Sequence, residues 1–279
     1  MSARLFSPTS PFWRVNRELL VVLSGPRALL LELAHPLVAA GVADHSDFRR
    51  DPLGRLTRTL RVMTDLNFGS TGAARQAAQH THHYHQHVRG KLAENVGPYL
   101  AGTRYQANDP LLKLWVLATL IDSTIQVYDL YVRPLPPAER QAYYADSQVL
   151  ARAFGIPPEL MPPTYADFLT YMDSMLASDL LTVGDTAREI VQALFAPRLR
   201  VLGPFVRAAS FVSIGLLPER LRAAYGFAWD ERREKWLQRL AAFSRRARPL
   251  VPDVLCAHPQ AVRAEWRWQL EHYAHKPLT

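Results

Sequence analysis

An all-α fold is predicted by three features of this chain. Apolar residues recur three and four positions apart in one segment after another. Several of these segments open on a polar residue followed by proline, as at Ser10-Pro11, Asp51-Pro52 and Asp109-Pro110. No alternating apolar–polar run, hairpin signal, internal repeat or Gly/Ser-rich linker is visible. The expected architecture is one all-α domain over residues 1–279, built from roughly ten helices of ordinary length.

Taken in order, the first helix follows Ser10, carries Trp13, Val15, Leu19 and Val22, and stops at Ser24-Gly25-Pro26. The second runs from Arg27 to about Val42 with Leu29, Leu30, Leu33, Leu37, Val38 and Val42 around much of its circumference, and Pro36 should kink it. Asp51-Pro52 opens a third, with Leu56, Thr59, Leu60 and Met63 on one side and an end near Asn67-Phe68-Gly69. A histidine-rich helix comes next and the segment closes around Gly97-Pro98. Asp109-Pro110 starts a long apolar helix, broken by Pro134 and Pro136-Pro137. Ala138 to Phe154 is amphipathic, and Thr164 with Asp167 resembles a capping box opening a helix to about Asp179. Val201 to Leu217 is the most hydrophobic late segment, expected to be a buried or groove-lining helix, with peripheral membrane contact as its second reading. Asp230 starts an arginine-rich amphipathic helix, and His258-Pro259 starts the last, with Trp266, Leu270 and Tyr273.

Composition narrows the function classes. At 48% apolar and 21% charged residues, the chain is of ordinary globular type and long enough to bury a full core. The net charge of +8 admits anionic partners, but the excess arginine lies on helices whose solvated face is the default, and no nucleic-acid motif is present. No nucleic-acid partner is expected. The single cysteine, Cys256, excludes an intramolecular disulfide and a C-x-x-C-H haem attachment. No signal peptide is visible before Pro11, so a reducing cytoplasm is the expected compartment. Phosphate-binding glycine loops, H-E-x-x-H and G-x-S-x-G are missing, and Glu32-Leu-Ala-His35 lacks the second Glu-x-x-His of a di-iron bundle.

The chemistry therefore turns on Gly72 to Leu92, which holds His80, His82, His83, His85 and His87. On one continuous helix, Ala74, Ala78, Thr81, His85, Val88 and Leu92 share a face that is apolar apart from Thr81 and His85. The other four histidines point elsewhere. A buried imidazole must find a partner, since an unpaired buried polar group is costly. That partner is a backbone carbonyl in the plain reading and a haem or metal iron in the sharper one. A third reading makes His83 and His87, spaced i and i+4, half of a non-haem metal site within the His80–His87 cluster, although no Asp, Glu or Cys stands nearby to complete it.

Residues Gly25 to Phe48 (G-P-R-A-L-L-L-E-L-A-H-P-L-V-A-A-G-V-A-D-H-S-D-F), Asp51 to Thr59 (D-P-L-G-R-L-T-R-T), Phe68-Gly69, His85 to Gly90 (H-Q-H-V-R-G), Tyr105 to Ser123 and Ala153 to Pro157 follow one another in this order. In that order they resemble the MpaB-type oxygenase family, which shares its catalytic domain with the latex-clearing rubber oxygenases. The resemblance covers about residues 10–255. It implies an all-α fold, a non-covalent haem b, and an H-x-x-V motif supplying the proximal iron ligand, matched here by His85. It also implies a distal R-x-x-K-T motif, matched by Arg55 and Thr59 with Arg58 in place of the lysine. A guanidinium effectively cannot lose its proton and bind iron as a lysine amine can. The sixth position is thus expected to be empty or water-bound, with His35 or His45 as the alternative distal ligand. The family's distal glutamate has three neighbours as candidates, Glu32, Asp44 and Asp47.

The function the resemblance implies is a haem b oxygenase using dioxygen on an unsaturated apolar substrate of terpenoid, prenyl or lipid type. Arg55, Arg58 and Thr59 would line the distal side and stabilise developing negative charge. Taken on spacing alone, Arg55 is a helix-capping arginine and Thr59 a half-buried threonine. A haem sensor or carrier, a peroxidase-like protein, and a lipid-binding helical protein remain open beside it.

Overall fold

The structure, a computed structural model, describes residues 4–46, 48, 50–195 and 203–273. Each proline-led segment forms a helix at its predicted start. α1 (Pro11–Asn16) begins where the Ser10 hydroxyl accepts from the Trp13 amide at 3.2 Å. It is shorter than predicted, because Leu19–Leu23 forms a separate 3-10 turn. In place of one kinked helix there are two, α2 (Ser24–Leu33) and α3 (Pro36–His45). The chain bends by 107° between Leu19–Leu33 and Pro36–His45. Pro36 is the cause: its ring crowds the preceding residue, and His35 sits extended at φ −85°, ψ 116°.

α4 (Pro52–Phe68) starts at Asp51, whose carboxylate accepts from the Gly54 amide at 2.8 Å. α5 (Thr71–His87) starts at Ser70 in the same way and packs along α4. It ends at His87, so Val88 and Leu92 do not lie on the helix as the sequence predicts. They enter a hairpin of β1 (Arg89–Lys91) and β2 (Arg104–Gln106), with Gly90 opposite Tyr105. Val88 and Leu92 are still buried, but through this turn of chain, packed with Ala40 and Tyr105. A Cβ at residue 90 would strike the Tyr105 hydroxyl and ring, so the hairpin requires glycine there. Three-residue strands are too short to show alternation, which is why they escape a reading by period.

α6 (Pro110–Tyr131) is the central helix. The Asp109 carboxylate caps it, accepting from the Leu111 and Leu112 amides at 2.8 and 3.3 Å. By length and composition α6 could cross a membrane, yet 72% of its apolar window is buried inside the protein, the position of a core helix. α2 lies along it, with Leu30, Leu31 and Leu33 in the same core as Trp115, Leu117, Ile121 and Ile125. Arg27 locks this pair. Its guanidinium is 1% exposed and donates to Asp122 Oδ2 and Ser123 Oγ, each at 2.7 Å, and to the Leu216 carbonyl at 2.9 Å. A buried charge so fully paired is tolerated, whereas removing one partner would strand the other.

The remaining helices are α7 (Pro137–Ala153), α8 (Tyr165–Ala177), α9 (Asp185–Phe195), α10 (Gly203–Gly215), α11 (Glu219–Ala224), α12 (Glu231–Ala247), α13 (Asp253–Cys256) and α14 (Pro259–Tyr273). The capping box at Thr164 and Asp167 forms as predicted. α10 holds most of the described part of the late hydrophobic segment; Val201 and Leu202 lie outside the described residues. At 13 residues α10 is shorter than a bilayer span, and its Val212 and Ser213 are buried. The described residues form fourteen α-helices and two short strands. The class is all-α as predicted, with more and shorter helices because proline and extended links divide the longer segments.

Candidate functional site

On α5, Ala74, Ala77 and Ala78 are buried and Thr81 and His85 are half-buried. His80, His82, His83 and His87 are exposed. The helical spacing thus turns His85 inward and leaves the other four in solvent. Burial, helped by the charges of Lys113 and His82, lowers the His85 pKa to about 4. The ring is neutral at neutral pH, with a lone pair available for a ligand. Among the described residues it has no hydrogen-bond partner, and the Tyr84 ring stands 6.2 Å away. The exposed His83 and His87 rings lie 5.3 Å apart. Among the described residues no third ligand joins them, since no group of three or more His, Cys, Asp or Glu could hold a metal ion.

A second constellation sits between α2 and α4. Glu32 interrupts the apolar run Leu29-Leu30-Leu31-Glu32-Leu33. Burial raises its carboxyl pKa to about 7, against the opposing charge of Arg55 and a hydrogen bond from Thr119, whose Oγ1 lies 3.4 Å from Glu32 Oε1. Burial lowers the Arg55 pKa in turn, and the charges of Glu32 and Tyr84 oppose that shift. Both side chains keep accessible surface although burial dominates their ionisation. Side chains of that kind are suited to lining a recess between α2 and α4, a reading that goes with the proposed function below. Half-buried Leu29, Val38, Val42, Val62 and Met63 on α2, α3 and α4 supply apolar surface packed on the same core.

Arg58 and Thr59 are not brought to Glu32. Both are exposed: Arg58 pairs with Asp51 at 3.2 Å, and the Thr59 hydroxyl donates back to the Arg55 carbonyl at 3.0 Å. Thr57 through Arg61 are all exposed, so among the described residues this turn of α4 is largely open to solvent, while Leu66 and Phe68 anchor the other end of the helix. Leu60, predicted to be on an apolar side, is 41% exposed. Of the other acidic candidates, Asp44 accepts a short hydrogen bond from the Tyr105 hydroxyl, and Asp47 lies outside the described residues. His45 Nε2 is 3.2 Å from the Arg89 carbonyl. His35 is 4% exposed, with Nε2 at 3.2 Å from the Tyr99 hydroxyl and Nδ1 buried without a partner among the described residues. Burial lowers the His35 pKa to about 4.

These shifts fix a pH dependence of stability. His35 and His85 have depressed folded-state pKa values, so their contribution is present above about pH 6.5 and is lost as pH falls towards about 4. Glu32 has a raised value, so its contribution is complete below its ordinary pKa and is lost as pH rises through about 7. Each histidine contributes up to about 1.4 kcal/mol per pH unit, less where solvent screens it. The melting temperature is expected to fall between pH 6.5 and 4, and thermal melts of His85→Gln should show a shallower fall. An equal slope in both proteins would contradict the buried neutral ring.

Two neighbours of the site were not visible in the sequence. Lys113 comes near His85, and Thr119 near Glu32, because α6 runs beside α2 and the chain just before it reaches α5, where the Asn108 amide donates to the His82 carbonyl. Neither carries a local signal, since both lie on a helix that reads as core.

Comparison with known proteins places these residues in a family. A family model described as the catalytic domain of ER-bound oxygenase mpaB/B' and rubber oxygenase matches residues 13–246. An uncharacterized protein of Mycobacterium bovis is 25% identical over 234 residues, covering 80% of this chain and 87% of that protein. An uncharacterized protein of Mycobacterium tuberculosis matches with the same identity and coverage. No solved structure matches. The family match contains Glu32, Arg55, Arg58, Thr59 and His85, and runs from α1 to within α12. With the fold all-α and most of the chain matched, this protein belongs to the mpaB/rubber oxygenase catalytic-domain family.

Proposed function

We propose that this protein is a haem b-dependent oxygenase that oxidises an unsaturated apolar small molecule with dioxygen. The observation that carries the reading is the neutral, inward-turned His85, without a hydrogen-bond partner among the described residues. The donor set suits a haem: one neutral imidazole, a guanidinium in a recess, and apolar walls. With Cys256 as the single cysteine, attachment would be non-covalent. When bound, the haem supplies an iron centre for dioxygen chemistry.

The chain's own groups do the rest. His85 would hold the haem iron through a neutral ring nitrogen. Arg55, partly buried and near the charge of Glu32, would supply fixed positive charge that favours negative charge developing on the substrate during oxidation. Glu32 is the proton acceptor, and a pKa near 7 lets it take and return a proton at neutral pH. The recess would carry two charged groups, Glu32 and Arg55, each felt by the other's charge, amid leucine, valine and methionine, which suits a substrate recognised by its hydrocarbon at roughly 0.8 kcal/mol per buried CH₂. Arg58 cannot serve as an iron ligand. It and Thr59 would act from the open turn of α4 only when that turn closes on the site.

The test incubates reduced, haem-loaded protein with labelled dioxygen and a panel of prenyl compounds, unsaturated fatty acids and polar phenols. Label is expected in the prenyl or fatty-acid products. Label confined to phenolic products, or turnover that needs peroxide and ignores dioxygen, would make the enzyme peroxidase-like instead.

A further inference from the structure

α12 carries an apolar stripe that nothing in the described structure covers. Trp236, Leu240 and Phe243 are spaced i, i+4, i+7 and are 55%, 41% and 69% exposed. The neighbouring flank of the helix is firmly held. Leu237 and Ala241 are buried against Val127, Tyr131 and Val212, and the Ser244 hydroxyl donates to the Tyr131 carbonyl at 2.7 Å. The stripe is therefore not the inward face of a loose helix. Past the end of α12 the chain continues with Leu250, Val254 and Leu255, which are 84%, 57% and 67% exposed.

Along the stripe runs a row of arginines. Arg232, Arg239 and Arg246 follow at i−4, i+3 and i+10 from Trp236, which places them together on its flank. Arg239 lies over the Trp236 ring, 5.8 Å from its centroid. Arg232, Lys235 and Arg239 surround the same ring in an open depression that also includes Glu231. Lys235 is paired with Glu231 at 3.0 Å, whereas Arg232, Arg239 and Arg246 have no ion pair among the described residues.

We infer that this face docks the protein on an anionic lipid surface. Each feature has a counterpart there. Tryptophan belongs at the headgroup level, aliphatic side chains reach the acyl boundary, and unpaired arginines meet lipid phosphates. A second copy of the chain fits poorly, because a two-fold contact would set the arginine row against itself. A nucleic acid would use the arginines and the aromatic rings but leave Leu240, Leu250, Val254 and Leu255 in water. The late hydrophobic segment, the sequence's own candidate for such contact, is partly given over to the core, with Val212, Ser213 and Leu217 buried. Docking by α12 would hold the enzyme where an apolar substrate is dissolved, but it rests on α12 alone and stands whatever the substrate.

The experiment is co-sedimentation of the full chain with phosphatidylcholine vesicles and with vesicles that also contain phosphatidylglycerol. Binding is expected to the anionic vesicles and to weaken as salt rises. Each basic residue near such a surface adds about a factor of five. The triple variant Arg232→Gln, Arg239→Gln, Arg246→Gln should therefore bind on the order of a hundredfold more weakly. Trp236→Ser with Phe243→Ser should lose binding even at low salt, while circular dichroism shows both variants folded as the parent is. Three results overturn the proposal: no binding to anionic vesicles, binding that both variants keep, or a dimer of the parent that Phe243→Ser dissociates.

Discussion

His85→Ala is expected to lose haem, with the bound fraction falling tenfold or more after loading with free haem. The α5 face that turns inward carries alanines and Thr81 besides His85, so no second side chain on it can take the iron. His83→Ala and His87→Ala should retain haem near the parent level, because both rings are exposed on other sides of the helix. Added imidazole should restore haem to His85→Ala, since it refills the space the side chain leaves. Extracted haem measured against protein concentration checks all three. Equal loss in the three variants would mean that the ligand lies elsewhere.

Glu32→Gln is expected to lower kcat by about 10²–10⁴-fold, the usual range for removing a positioned base, with KM little changed. The parent's activity should rise with pH through about 7, as the raised carboxyl ionises. That limb should vanish in the variant. Arg55 loses its opposing charge at the same time, so haem content must be measured alongside to separate a missing base from a disturbed recess. A variant with the parent's kcat and the parent's acid limb would remove Glu32 from the mechanism. It would return the role to the remaining acidic neighbours.

Much of this was legible in the sequence, for reasons that differ by element. Cap and proline pairs act locally, so the starts of α1, α4 and α6 could be placed to the residue. The inward turn of His85 follows from spacing within one helix, which needs no tertiary information. The break at Pro36 was visible as a kink, but its 107° depended on how α2 and α3 each pack. The end of α5 was missed because Val88 and Leu92 keep the apolar spacing of a helix while the backbone leaves it. Their burial is satisfied equally by the hairpin against Ala40. Glu32 could be suspected as a lone charge in an apolar run. The charge of Arg55 that acts on it comes from a residue 23 positions away on a different helix, which no local pattern encodes. Arg58 and Thr59 share a predicted face with Arg55, yet the open turn of α4 leaves them in solvent.

The most direct test of the haem-oxygenase reading is the absorption spectrum of the purified protein together with its iron content. A haem b spectrum is predicted, either as isolated or after haem is added, with one iron per chain and an axial histidine signature that disappears in His85→Ala. A colourless protein that stays colourless after haem is added would contradict the account at its centre.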